Sequence, residues 1–134
     1  MSGYSLTPLS RKLGIEAGRV VCVLAAPADY RKTLAPIPEG VRFLARPGAS
    51  AEIVHLFVTR RTELERRLAS LRKLLRPDAA IWVSWPKKAS GVPTDVTEDT
   101  IRRVALPMGF VDVKVCAVTD VWSGLKLVVR RELR

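Results

Sequence analysis

Two lysines and two hydroxyl side chains lie close together in one polar segment of the sequence. Lys87 and Lys88 follow an apolar run that ends at Pro86, and Ser90 and Thr94 come shortly after them. Ammonium and hydroxyl groups donate hydrogen bonds, and a charged donor strengthens the bond to an anion. The segment is therefore our first candidate for a site that holds a phosphate or a carboxylate.

A helix is predicted to begin directly after this segment. Asp95 and Glu98 have the spacing of a capping box, with Asp in place of the usual Ser or Thr. The N-terminus of a helix presents unpaired N–H groups and a partial positive charge, which would add to the two lysines. The two carboxylates would compete with an anion for those N–H groups, and an ordinary connecting loop with solvated lysines is the plain alternative.

Two tryptophans extend the candidate ligand-binding set. Trp85 lies at the end of the apolar run, and Trp122 lies in a predicted turn with Ser123 and Gly124. Either indole ring could stack on a ligand, or it could fill space in the core or a lid. The candidate ligand-binding residues are thus Lys87, Lys88, Ser90, Thr94, Asp95, Trp85 and Trp122.

A basic helix is the second candidate surface. The chain carries a net charge of +10, and residues 60–76 combine a leucine stripe at helical spacing with many cations. Such a face could contact phosphates with little sequence specificity, or it could simply be solvated. The aromatic residues that single-strand binding platforms use are not interleaved here. The candidate nucleic-acid contacts are Arg60, Arg61, Arg66, Arg67, Arg72 and Lys73.

Several other kinds of site are not predicted. His55 is the only histidine and has no cysteine at ligand spacing, so we expect no metal site and no catalytic triad. The sequence has no phosphate-binding loop and no nucleophile elbow, and we predict no catalytic residue. Cys22 and Cys116 lie in apolar strand patterns and are expected to be reduced core residues of a cytoplasmic protein. No apolar stretch is long enough to span a membrane.

The elements that would carry these residues alternate between strand and helix patterns. Strands are predicted at 19–26, 41–44, 52–58, 79–85, 110–118 and 125–130, and helices at 27–35, 60–76 and 97–106. The last two strands are joined by a short link, which favours an antiparallel hairpin. The order predicts an α/β fold, a three-layer Rossmann-like sandwich with a mostly parallel sheet of about six strands.

The whole chain of 134 residues is predicted to form a single domain. Residues 1–18 would form an N-terminal docking arm with a brief helix. Thr7 would cap this helix, Pro8 would open it, and Gly14 would end it.

This layout resembles a shortened form of the Rossmann-like fold of S-adenosylmethionine-dependent methyltransferases, which also end in a hairpin. The resemblance implies glycines after the first strand and an acid after the second, to hold the cofactor. The sequence has Ala25-Ala26-Pro27 at the first position and Leu44-Ala45-Arg46 at the second. We therefore predict no cofactor, with S-adenosylmethionine as the alternative, and we expect Asp29 to cap the following helix.

A second resemblance covers essentially the whole chain. The residues that carry it are Gly3-Tyr4-Ser5, Lys12-Leu13-Gly14-Ile15, the runs 83–98 and 112–118, and Trp122-Ser123-Gly124-Leu125-Lys126. These segments are similar to a bacterial family known as domain of unknown function 3052. One departure is Leu6, where that family would have a glycine. The resemblance implies a small cytoplasmic bacterial protein of a kind common in actinobacteria, and it brings no established activity.

Three functional hypotheses remain open at this point. The leading one is a non-catalytic Rossmann-like binding or regulatory domain that holds an anionic ligand or a protein partner. The second is a divergent methyltransferase-like enzyme that uses S-adenosylmethionine. The third is a basic nucleic-acid-associated protein.

Overall fold

A computed structural model describes residues 7–134 of the protein. The first six residues of the predicted docking arm, which include Gly3-Tyr4-Ser5 and Leu6, lie outside the described residues. The arm's remaining part forms a short helix whose N-cap position is taken by Pro8 and not by Thr7. Gly14 follows this helix with a φ of 78°, as expected for a glycine that ends a helix.

Six strands and four helices make up the described chain. The strands are β1 (Val20–Leu24), β2 (Arg42–Leu44), β3 (Ile53–Phe57), β4 (Ala80–Pro86), β5 (Phe110–Ala117) and β6 (Trp122–Val129). The helices are α1 (Leu9–Lys12), α2 (Tyr30–Leu34), α3 (Arg61–Leu74) and α4 (Glu98–Ala105). Each predicted strand and helix is present, with ends that shift by a few residues.

The strands form one sheet in the order β2-β1-β3-β4-β6-β5. The pairs among β1, β2, β3 and β4 are parallel, whereas β6 runs antiparallel to both β4 and β5. This arrangement confirms the α/β class, the mostly parallel sheet and the terminal hairpin. Among residues 7–134, none of the helices combines the length and the apolar character that crossing a membrane requires.

Helices cover both faces of the sheet and enclose two apolar cores. On one face α3 and α4 bury Leu64, Leu68 and Ile101 against the strands. On the other face α1 and α2 bury Leu9 and Leu34. All five residues of β3 are buried, because both of its faces are covered. This double coverage explains why the strand is an unbroken apolar run around its histidine.

Trp82 fixes the N-terminal helix to the sheet. Its side chain is fully buried, and its indole Nε1 donates a hydrogen bond of 3.0 Å to the carbonyl of Leu13, just after α1. An indole N–H buried without a partner would be costly, so the bond holds α1 in one place. The docking arm is therefore part of the core from Leu9 onward.

The hairpin turn differs from the prediction. Ser123 and Gly124 lie inside β6, which already begins at Trp122, so Trp122 is a strand residue and not a turn residue. Gly124 is in the strand because a Cβ at this position would lie 3.1 Å from Val118 and 3.3 Å from Trp82. The glycine allows neighbouring side chains to pack closely against the strand. The sequence alone does not distinguish this role from that of a turn residue.

The start of α4 also differs from the prediction. Thr97, not Asp95, is its N-cap, and it forms a reciprocal capping box with Thr100. The Asp95 carboxylate instead accepts a hydrogen bond of 2.6 Å from the backbone N–H of Arg61, the first residue of α3. The loop after β4 thus stabilises the beginning of the preceding helix.

Replacing Asp95 tests this assignment. We expect Asp95→Ala to lower the free energy of unfolding by about 1 kcal/mol, because an N–H at the start of α3 loses its acceptor. Lys88→Ala is the control in the same loop, and we expect it to stay within about 0.5 kcal/mol of the parent protein. Urea unfolding measures both variants. Equal effects of the two substitutions would show that Asp95 does not cap α3.

Candidate functional site

The sheet has a topological switch point between β1 and β3. The chain leaves β1 towards β2 on one side, while β3 lies on the other side of β1 and continues towards β4. The connections that carry α2 and α3 run on opposite faces of the sheet. A crevice therefore opens beyond the carboxyl ends of these strands. We had expected the candidate site after β4, which is one strand away.

A cleft with a volume of about 590 Å³ lies at this crevice. We call it the aromatic cleft, because Tyr30, Phe57 and Trp122 line it. The rings of Phe57 and Trp122 meet edge to face with centroids 5.0 Å apart, and those of Tyr30 and Phe57 with centroids 5.7 Å apart. The full lining is Pro27, Asp29, Tyr30, Thr33, Phe57, Val118, Thr119, Asp120, Val121 and Trp122.

Two further clefts adjoin the aromatic cleft. One of about 550 Å³ shares Asp29 and Tyr30 with it and reaches the end of β2 at Phe43. The other, of about 310 Å³, shares Phe57 and Trp122 with it and reaches Arg60 at the start of α3. The three clefts together follow the carboxyl edge of the parallel strands, so Tyr30 and Trp122 stand at the centre of one extended crevice.

Asp29 occupies the N-cap position of α2, as we predicted, but its side chain makes no capping hydrogen bond. Its exposed carboxylate instead lies at the border of two clefts. Asp120 contributes a second carboxylate to the aromatic cleft, and the lining includes no Lys or Arg among the described residues. The cleft therefore has a negative rim in a chain whose net charge is +10.

A buried chain of hydrogen bonds supports the floor of the aromatic cleft. The Tyr30 hydroxyl lies 2.8 Å from Nδ1 of His55, and Nε2 of His55 lies 2.7 Å from the Ser84 hydroxyl. His55 and Ser84 are fully buried, so Ser84 is not exposed as a nucleophile. Burial lowers the pKa of His55 to about 3 and raises that of Tyr30. The imidazole is neutral, and it acts as a link between α2, β3 and β4.

The loop after β1 has an unusual backbone. Ala25 has a φ of 59°, which is the left-handed region that normally favours glycine. The chain thus makes the kind of turn that glycines make in nucleotide-binding folds, but it keeps a Cβ at that point. Sequence reasoning noted the missing glycine here and did not foresee the left-handed alanine.

The predicted anion-binding loop uses most of its donors internally. The Ser90 hydroxyl donates to the Lys87 carbonyl at 2.6 Å and accepts from the N–H of Val92. The Thr94 hydroxyl donates to the carbonyl of Thr59 at 2.7 Å. Lys87 is half-buried and Lys88 is exposed. An anion site at this loop stays a prediction that rests on the two lysines alone.

The two candidate tryptophans lie in different environments. Trp85 is buried in the core with α3 and α4, which agrees with the alternative of core packing, and its role in ligand binding stays a prediction. Trp122 is half-buried and lines the aromatic cleft. A predicted site residue thus lies at the observed crevice, although the rest of its surroundings come from loops that we had not selected.

The arginines of α3 are largely engaged with neighbours. Glu63 pairs with Arg66 at 2.5 Å and with Arg67 at 3.3 Å. Arg61 approaches Glu65, and Arg72 donates to the Met108 carbonyl. Among the candidate nucleic-acid contacts in the described chain, Arg60 and Lys73 have no such side-chain partner. These pairs reduce the positive charge of the helix face, and nucleic-acid binding stays untested.

Comparisons with known proteins show the fold. No family model and no curated protein match the chain, so the resemblance to domain of unknown function 3052 stays a prediction. A S-adenosylmethionine-dependent methyltransferase from Aquifex aeolicus is similar in structure, with a TM-score of 0.67 and 12% identity over 90% of this chain and 87% of that one.

Two further solved structures share the fold. The N-methyltransferase NodS from Bradyrhizobium japonicum gives a TM-score of 0.59 and 10% identity over 90% of this chain and 92% of that one. LepI in complex with S-adenosylmethionine gives 0.54 and 14% over 91% of this chain and 39% of that one. At such low identity the likeness shows the fold alone, which is the Rossmann-like fold of these proteins.

The residues present do not fit S-adenosylmethionine in the manner that the resemblance implies. Ala25 brings a Cβ where a glycine would let the backbone approach a ligand, and Pro27 has no N–H to donate. Leu44-Ala45-Arg46 offers no carboxylate to the ribose hydroxyls. Methyl transfer therefore has no support from these two loops.

The pH dependence of stability tests the buried histidine. The pKa of His55 is lower in the folded protein than in the unfolded chain, so the unfolded chain binds a proton first as the pH falls. The free energy of unfolding is therefore highest above about pH 6.5 and decreases as the pH falls towards 3. Between pH 7 and pH 5 we expect a loss of about 2 kcal/mol in the free energy of unfolding. Urea unfolding at both values measures it, since most carboxylates titrate below this interval.

The control for this prediction is His55→Phe, which removes the only histidine of the chain. The variant is expected to be less stable at pH 7, because Tyr30 and Ser84 lose a buried partner. Its stability should nevertheless be nearly constant between pH 7 and pH 5. A loss as large as that of the parent protein would exclude His55 as the cause.

Substitution at Ala25 tests the left-handed backbone. Ala25→Gly removes a conformational cost of about 1–2 kcal/mol from the folded state. It also raises the entropy of the unfolded chain, which opposes folding by about 0.4–1 kcal/mol. We expect the free energy of unfolding to rise by up to about 1.5 kcal/mol. Ala26→Gly, at the next position, should lower it by about 0.4–1 kcal/mol. Urea midpoints compare them, and destabilisation of both variants would contradict the assignment.

Proposed function

We propose that the protein is a non-catalytic ligand-binding domain, and that the aromatic cleft holds the ligand. The observation that carries this proposal is the position of the cleft at the switch point of the sheet, where open α/β sheets bind their ligands. The cleft also has the size and the mostly apolar, aromatic lining of a small-molecule site. This proposal keeps the binding function of our leading hypothesis and moves its site.

The lining chemistry selects the class of ligand. The rings of Tyr30, Phe57 and Trp122 favour a flat ring that contacts their faces or edges. The exposed carboxylate of Asp29 favours a positive group and disfavours an anion. The ligand is therefore a flat compound that is uncharged or cationic, and it is not the anion that our sequence analysis expected after β4.

Binding of S-adenosylmethionine is the second candidate function. The shared fold and the negative rim favour it, since the sulfonium of this compound is a cation. Ala25, Pro27 and the absent carboxylate after β2 oppose it. The two candidates agree on the crevice and differ in the compound, so one titration compares them.

The test uses the indole N–H signals of the three tryptophans in a ¹⁵N-labelled protein. Trp122 lines the cleft, whereas Trp82 and Trp85 are buried and serve as internal references. Tryptamine and indole-3-acetate are the probes, because they carry the same ring with opposite charges. We expect tryptamine to shift the Trp122 signal saturably, with a Kd about three- to fivefold lower than that of indole-3-acetate, as one exposed ion pair allows.

Matched variants locate the charge effect. Asp29→Asn should reduce the preference for tryptamine, whereas Glu39→Gln, which removes an exposed acid from another loop, should preserve it. A titration with S-adenosylmethionine that shifts Trp122 at lower concentration than tryptamine would favour the second candidate. A Trp122 signal that none of the three probes moves would exclude the aromatic cleft as a binding site.

A further inference from the structure

A second charged region lies on the strands of the hairpin, at residues that do not line the aromatic cleft. Lys114 of β5 stands directly opposite Lys126 of β6 in the strand register. Lys126 is also directly opposite Trp82 of β4, and Trp82 is bonded to the carbonyl of Leu13. These contacts place the end of α1, with Lys12, beside the same face of the sheet. We call Lys12, Lys114 and Lys126 the lysine cluster.

Among the described residues, lysines are the charged groups that act on Lys126 and Cys116. Asp112, the only acid within β5, pairs at 3.0 Å with Arg102 of α4 and so faces the opposite side of the sheet. Burial, and then the charge of Lys114, lower the pKa of Lys126. Burial raises the pKa of Cys116, against an opposing effect of Lys12 and Lys114. The positive charges that act on these two groups thus come from Lys12 and Lys114.

Like charges directly opposite on neighbouring strands destabilise a sheet. The arginines of α3 avoid this cost through their pairs with Glu63, whereas Lys114 and Lys126 face each other across the hairpin. Lys126 is half-buried, so part of its side chain is held against the sheet. An anion between the two ammonium groups would change a repulsion into two charge-assisted hydrogen bonds.

We propose that the lysine cluster is a binding site for a phosphate group. The site takes a small, multiply charged phosphate on the face of β5 and β6 where the cover of α1 ends. Its ligand is chemically opposite to that of the aromatic cleft, and it does not depend on the proposed function of that cleft. Cys116 lies on the same face as a half-buried neighbour, which corrects our expectation of a core cysteine.

The test is a titration with inorganic pyrophosphate at constant ionic strength, followed by backbone amide signals in ¹H–¹⁵N spectra. We expect saturable shifts at Lys114, Cys116 and Lys126. Lys126→Met keeps the length of the side chain and removes its charge, and we expect it to raise the Kd by about tenfold, which corresponds to the loss of one charged hydrogen bond. Lys114→Met should act in the same direction.

Lys73→Met is the matched control, because it removes one exposed lysine from α3 and changes the net charge by the same amount. Its Kd should stay within about twofold of the parent value. Without pyrophosphate, Lys126→Met should be at least as stable as the parent protein, since a like-charge contact is removed. This expectation keeps the variant folded and the comparison valid.

Two results would overturn the proposal. An equal rise in the Kd for pyrophosphate in Lys126→Met and Lys73→Met would show that binding depends on the total charge and not on a defined site. Binding of a 20-base-pair DNA duplex without any saturable response to pyrophosphate would show that the surface contacts a nucleic-acid backbone and not a small phosphate. A tenfold effect of Lys126→Met on pyrophosphate, with none of Lys73→Met, supports the site.

Discussion

The buried imidazole of His55 is the constraint on which the crevice depends. A neutral imidazole away from water needs one acceptor and one donor, and within residues 7–134 Tyr30 and Ser84 supply them. Ser84 sets the alignment of β3 with β4, and Tyr30 sets the position of α2 above the sheet. The same Tyr30 and the stacked neighbour Phe57, whose ring centroid lies 4.3 Å from that of His55, form the wall of the aromatic cleft.

Close packing around Trp82 fixes the other half of the molecule. This side chain is fully buried between α1 and the strands, and a Cβ at Gly124 would lie only 3.3 Å from it. The last strand lies between β4 and β5, and Trp122 at its start pairs with Pro86. His55 of β3 and Trp82 of β4, which are partners in the strand register, thus support one face of the sheet beneath the cleft.

The sequence allowed the fold to be predicted because its strands are covered on both faces. An apolar run such as the one in β3 indicates a buried strand without knowledge of its neighbours. The short link before the last strand indicated the hairpin. The role of Asp95 was harder to predict. A carboxylate that caps the next helix has the same local sequence pattern as one that bonds to an N–H 34 residues earlier. The choice between them depends on tertiary contacts that spacing does not contain.

The site was missed for a related reason. Tyr30, Phe57 and Trp122 come from three separate segments, and each one alone has the pattern of a core residue. One available signal was positional: Asp29 and Tyr30 directly follow the first strand, where parallel sheets place ligand-binding loops. Weighting that position above the density of lysines would have moved the candidate site from the loop after β4 to the loop after β1.

The distribution of charge explains how one basic chain can offer two different environments. Many arginines are neutralised locally by a glutamate or aspartate one helical turn away, as in the pairs of Glu63 and of Arg102. Such pairs are short in range and add little field beyond their own helix. The net charge of +10 is therefore carried mainly by the cations that lack an acid, which include the lysine cluster. The aromatic cleft keeps carboxylates on its rim despite that charge, so the total charge of the chain is a poor guide to the charge of its ligand.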